Sequence, residues 1–168
     1  MDVKKSLLIY VVEDNQVYNR MVCEYLKKQN YTNVKSFISG NECIKTVMNG
    51  DEPDIVIQDY FLDDLNGIDV LKAIKAKYKD AEFIFLTSNE NIEVAIECIA
   101  YGVHDYIIKD KGDILKRLTE KVNKVSKVIV LRRKNKIIWL AIIIALLVLS
   151  IMIISGFLMY MFGIVVTS

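Results

Sequence analysis

Short apolar runs recur along the first two thirds of the chain, and each is followed by a stretch with helical spacing. Ser6–Val12 (SLLIYVV), Thr32–Phe37, Asp54–Asp59, Ala81–Leu86 (AEFIFL) and Asp105–Ile108 (DYII) have strand length and strand composition; the first and third are apolar enough to be buried on both faces. Asn15 fits an N-cap for a helix through about Gln29, with Tyr18, Met21, Val22, Tyr25 and Leu26 on one side. Ser39-Gly40 open a second helix that stops at Asn49-Gly50. Asn66-Gly67 precede a third, with Ile68, Val70, Leu71, Ile74 and Tyr78 apolar, and a fourth runs from about Asn91 to the glycine stop at Tyr101-Gly102. A fifth starts near Gly112-Asp113 and carries Ile114, Leu115, Leu118, Val122, Val125 and Ile129. Strand and helix alternate five times through short connections, which predicts an α/β class: a doubly wound parallel sheet with helices on both faces.

The pattern then changes. Ile137 to Val166 is an almost unbroken apolar run, and every charged residue lies at or before Lys136. A core helix of that length would show a polar face; this one shows none, so it reads as a transmembrane helix. About thirty helical residues span about 45 Å, against a hydrocarbon core of roughly 30 Å. The helix must therefore tilt, break near Ser155-Gly156, or protrude from an oligomer; two full crossings do not fit. No Gly or Pro interrupts Thr119–Lys136, so one helix is expected to run from the fifth element into the apolar segment. The expected divisions are a domain over residues 1–126, a basic helical linker over 127–136 and the membrane helix over 137–166.

Charge orients this arrangement. Arg132, Arg133, Lys134 and Lys136 immediately precede the apolar run and nothing charged follows it, so the positive-inside rule keeps residues 1–136 in the cytoplasm. The N-terminal apolar stretch stops at Glu13-Asp14 without a small-residue cleavage site and reads as a strand, not a secretory signal. Setting aside those four cations leaves 18 Lys and Arg against 21 Asp and Glu, a net charge of −3 up to Leu131. Such a balance offers no footprint for nucleic acid; the basic cluster instead suits anionic lipid headgroups. Cys23, Cys43 and Cys98 are scattered on predicted helices and read as reduced core residues. The lone His104 has no partner motif and reads as structural or as a surface residue.

Four of the five predicted strands end in a group with specific chemistry: Glu13-Asp14, Asp59, Thr87 and Lys109. Ligands of open α/β sheets sit outside the carboxyl ends of the strands, so these groups can converge. Taken alone, Asp59 is equally well a reacting group or a loop cap. Three carboxylates in one small site repel one another, and the natural neutraliser is a hard divalent cation such as Mg²⁺, held by one or two carboxylates, water and phosphate oxygens. A carboxylate can also act as a nucleophile on phosphorus and form an aspartyl-phosphate. A lysine would neutralise the phosphoryl oxygens, and a threonine hydroxyl would hydrogen-bond to them.

With these residues in order, the chain resembles a response-regulator receiver domain of two-component signalling over roughly residues 6–126. The resemblance rests on Glu13-Asp14, Asp59 with Gly67 eight positions on, Thr87 with Ser88 next, Tyr106 and Lys109. It implies a flavodoxin-like receiver fold with strand order 2-1-3-4-5, here followed by a single transmembrane helix. It implies that Asp59 accepts phosphate, that Glu13 and Asp14 hold Mg²⁺ with Asp59 and the backbone carbonyl of Phe61, and that Thr87 and Tyr106 form a switch pair. Receivers of this kind usually carry proline four residues after the acceptor and often one after the lysine; this chain has Asp63 and Asp110. In place of an output domain, a tether alone is expected after the receiver.

The function expected is a membrane-tethered single-domain regulator at the bacterial inner membrane. It would take phosphate from a histidine kinase or histidine phosphotransfer protein, self-catalyse the transfer and hydrolyse the product slowly, and be an enzyme in no other sense. It would signal to an unknown downstream protein through the face of the fourth helix, fifth strand and fifth helix, or through the membrane helix, with homodimerisation as one route. The alternative is a membrane scaffold on the same fold that is indifferent to phosphate. Aspartyl phosphatases are excluded because Phe61 stands where they place a second acid. That phenylalanine is expected to screen the phosphoryl group from water and lengthen the life of the phosphoform.

Overall fold

The computed structural model describes residues 6–88, 92–109 and 112–166. The boundary between its two units falls between Ile129 and Val130, and each unit is taken by itself. Asn91 and Asp110, which figure in the expectations above, lie outside the described residues.

The N-terminal unit alternates β1 (Ile9–Val12), α1 (Gln16–Lys28), β2 (Val34–Phe37), α2 (Gly40–Met48), β3 (Ile55–Gln58), α3 (Gly67–Lys77), β4 (Glu82–Thr87), α4 (Ile92–Ala100) and β5 (Asp105–Ile108), and then enters α5 (Ile114–Val166). All four strand pairings are parallel and the sheet order is β2-β1-β3-β4-β5. The fold is therefore the flavodoxin-like arrangement in the expected order. The first strand starts later than the apolar run does, because the Leu8 amide leaves the ladder and donates to Asp54 Oδ2 at 2.9 Å.

Strand alternation decides which helix covers which face. Ile9 and Val11 of β1 and Ile55 and Ile57 of β3 pack with Val22 and Leu26 of α1 and Leu118, Val122, Val125 and Ile129 of α5. Tyr10, Val12 and Val56 point the other way, to Cys43 and Val47 of α2, Val70, Leu71 and Ile74 of α3, and Cys98 of α4. The helix starts follow the capping residues: Asn15, Ser39 and Asn66 each accept a hydrogen bond from a first-turn amide. Asn30, in the left-handed region at φ 71°, closes α1. At the far end of α2, Lys77 Nζ donates to the carbonyls of Val47 and Met48 at 2.9 and 2.8 Å, a cation where the helix dipole favours one. The three cysteines are buried and unpaired. His104 Nδ1 lies 3.7 Å from Glu82 Oε2 and takes no part in the strand-end cluster described below.

The second unit consists of the remainder of α5, which is helical without a break across Ser155 and Gly156 to Val166. Its described side chains from Arg133 to Gly163 are exposed, and the helix is long and apolar enough to cross a membrane. The hydroxyls of Ser150 and Ser155 donate back to the carbonyls of Leu147 and Met152, at 2.7 and 2.9 Å, so neither polar group depends on water.

Candidate functional site

The parallel register brings the strand ends together. Val12 and Gln58 are paired residues, so Glu13-Asp14 and Asp59 leave the sheet side by side, and the Asp59 amide donates to the Val12 carbonyl at 3.0 Å. Thr87 pairs with Ile108, which puts Lys109 next along; its amide donates to the Thr87 carbonyl at 2.8 Å. Lys109 Nζ then donates to Asp59 Oδ2 at 2.6 Å and to Glu13 Oε2 at 2.7 Å. Asp59 is 8% exposed and Glu13 3%. The ion pairs are thus nearly out of water, where a charge needs its partner.

Electrostatics follow from this packing. Burial pushes the Glu13 carboxyl up to about 6; Lys109 opposes the shift, while Asp59 and Asp14 add to it. Burial also works against the Lys109 ammonium, but the hydrogen bonds and attraction of Asp59 and Glu13 outweigh it and raise its pKa. Ligand oxygens of Glu13, Asp14 and Asp59 lie within 4.8 Å of one another. Three hard oxygen donors of negative charge, one with a pKa raised chiefly by burial, fit a Mg²⁺ ion.

The surroundings of this cluster include residues the sequence did not announce. Asn19, 2% exposed, donates to the carbonyls of Glu13 and Phe37 at 3.1 and 2.8 Å and so pins the start of the acidic pair. Asp14 Oδ2 accepts from the Asp63 amide at 3.0 Å, a hydrogen bond that a proline at position 63 could not donate. Asp64 reaches across to α2 and accepts from Ser39 Oγ (2.7 Å), the Gly40 amide (3.0 Å), and the Asn41 amide and side chain (both 2.9 Å). Tyr60, next to Asp59, donates to Glu97 Oε2 of α4 at 3.0 Å. Gln58 Nε2 donates to the Gly67 carbonyl, tying the end of β3 to the start of α3. Nothing in the sequence distinguished Asp64, Asn19, Tyr60 or Gln58.

Thr87 is fully buried, and Tyr106 is half-buried on the neighbouring strand, its hydroxyl within hydrogen-bonding reach of the Thr87 side chain. The Phe61 amide donates to Asp59 Oδ1 at 3.3 Å, while its ring is 56% exposed and packs edge-on to Tyr60 with centroids 4.8 Å apart.

The response regulator receiver domain family model matches residues 9–130. The chain belongs to that family. Receiver domains of response regulators work in two-component systems, interact with histidine kinases or phosphotransfer proteins, and generally bind Mg²⁺ at an acidic pocket. The chain is 40% identical over 58 residues to the regulatory protein LuxO of Vibrio cholerae, a match covering 34% of this chain and 13% of LuxO. It is 32% identical over 104 residues to the transcriptional regulatory protein CssR of Bacillus subtilis, covering 62% of this chain and 45% of CssR. The receiver thus matches less than half the length of either relative. Among solved structures, the non-phosphorylated HemR receiver domain from Leptospira biflexa is similar with a TM-score of 0.65 and 26% identity, covering 72% of this chain and 94% of that domain.

Proposed function

We propose that this receiver is a membrane-tethered response regulator whose Asp59 takes a phosphoryl group from the phosphohistidine of a partner histidine kinase or histidine phosphotransfer protein. The observation that carries this reading is the convergence of Asp59, Glu13 and Lys109 at 2.6–2.7 Å on the carboxyl edge of the sheet. In this reading an Asp59 oxygen attacks phosphorus in line, the phosphorus–nitrogen bond to the donor histidine breaks, and its electron pair stays on the imidazole. The Lys109 ammonium moves its hydrogen bond from the acid to a phosphoryl oxygen, and the buried Thr87 hydroxyl donates to another. Leaving Tyr106 for the phosphoryl group would let the switch pair separate, which supplies a route from the site to the face formed by α4, β5 and α5. Glu13, Asp14, Asp59 and the Phe61 carbonyl would hold Mg²⁺, which supplies neutralisation of the phosphoryl charge. Catalysis is confined to the chain's own acceptance of phosphate and the slow hydrolysis that follows.

The tether rests on the apolar helix and the four cations before it, which favour a single pass through the bacterial inner membrane with the receiver in the cytoplasm. Intact-mass measurement of the full chain with Mg²⁺ and a small phosphodonor tests the central step. Wild type should gain one phosphoryl group and Asp59→Asn none, and beryllofluoride should bind wild type alone. Equal binding of the mimic by Asp59→Asn would overturn the reading.

A further inference from the structure

Lys109 has a third neighbour besides its two carboxylates. Its Nζ lies over the ring of Tyr18, 4.6 Å from the centroid. We infer that Tyr18 is a positioning residue for Lys109, its ring face walling the ammonium on the side that Asp59 and Glu13 do not occupy. This inference deepens the phosphoacceptor reading and rests on it for its kinetic consequence.

The root of the ring is held from both directions. Asn15 Oδ1 accepts from the Tyr18 amide at 3.0 Å, which fixes Tyr18 in the first turn of α1. Its neighbour Asn19 is clamped to the carbonyls of Glu13 and Phe37. The ring is half-buried and packs against the core between the sheet and α1 and α5, and its hydroxyl is out of solvent. An ammonium carries three N–H groups, and two are taken by Asp59 and Glu13. A flexible lysine stem with three rotatable donors gains most from a rigid wall, and an aromatic face attracts the charge as well as confining it. When Asp59 becomes an acyl phosphate, one of the two carboxylate anchors changes shape and charge. The ring does not, and it is what keeps Lys109 aimed while that anchor is exchanged.

The test uses the full-length chain in lipid nanodiscs with Tyr18 replaced by Phe, by Leu, and by a ring-trifluorinated phenylalanine. The last keeps the ring's size and cancels the negative charge on its face. The first readout needs no phosphate: proton and carbon shifts of the Lys109 ε-methylene, labelled selectively. Wild type and Tyr18→Phe should show the upfield displacement of a group over a ring face, and Tyr18→Leu the ordinary lysine position. The second is the initial rate of phosphate incorporation from a small donor. Tyr18→Phe should keep the wild-type rate, while the fluorinated ring and Leu should each be slower by about three- to tenfold. A lysine shift that is ordinary in wild type, or a fluorinated ring as fast as Phe, overturns the inference. If wild type shows the displaced lysine but takes no phosphate, the phosphoacceptor reading falls and the ring–ammonium contact stands. Rescue by Phe and loss on fluorination separate this role from plain core packing, which all three rings would serve alike.

Discussion

Burial of the acid cluster at the strand ends bears most directly on Glu13. Burial, with Asp59 and Asp14 adding and Lys109 opposing, pushes this carboxyl from an ordinary 4.5 to about 6. A carboxyl raised in the folded state stabilises the fold in its protonated form. Its contribution is fully present below 4.5 and is lost as the pH rises through about 6, on the order of 2 kcal/mol in all. Urea unfolding in the absence of Mg²⁺ should therefore show wild type losing about that much relative to Glu13→Gln between about pH 4 and 7.5. A difference that is flat with pH would contradict the placement of Glu13. Mg²⁺ needs the carboxylate, so its affinity should weaken as the pH falls through about 6, measured by titration on the full chain.

Elements are joined around the acceptor by two contacts whose loss should be distinguishable. Asp64 caps α2 from the loop after β3; burial raises its carboxyl, but four hydrogen bonds from residues 39–41 outweigh that and hold it at about 2. The stability it supplies is present above its ordinary 3.8 and is lost as the pH falls through about 2. Asp64→Ala should lower stability by about 1 kcal/mol, as other lost N-caps do. It should also raise amide exchange in α2 more than in α3, by hydrogen-exchange measurement. Gly67 is a different constraint, since its backbone is unremarkable in φ but a Cβ there would stand 2.7 Å from the Asp59 carbonyl and 2.6 Å from the Phe85 ring. Gly67→Ala should destabilise by about 1–3 kcal/mol. Because the atom struck is the acceptor's own carbonyl, it should also slow phosphate incorporation, where Asp64→Ala leaves more of it intact.

At the scale of the whole molecule, the proposed tether sets where the signal is delivered. A helix whose exposed apolar surface runs from Ile137 to Phe162 would expose far more apolar area than a soluble protein carries, so lipid is its expected solvent. The chain should stay with the membrane pellet through alkaline carbonate extraction. Protease added from the cytoplasmic side should remove the receiver and leave the helix. Replacing Arg132, Arg133, Lys134 and Lys136 together by neutral residues should scramble that orientation. Full release by carbonate would argue against the tether.

Much of this was legible along the chain because it is local. Alternating apolar runs, caps at Asn15, Ser39 and Asn66, and acids at strand ends determine which segments pair with the sheet and where chemistry can sit; the order of motifs then selects the receiver fold. The long apolar run likewise declares itself, since a helix without a polar face needs no tertiary contact to identify it. What tertiary structure alone decided are the contacts between residues far apart in sequence. Lys109 meets Glu13 across 96 positions, Asp64 caps a helix that begins 24 residues earlier, and Tyr60 reaches Glu97. Tyr18 looked like one more apolar position on a helix stripe, because periodicity records which side of a helix faces inward and not what waits there. Parallel register, set by the whole sheet, put a lysine over its ring.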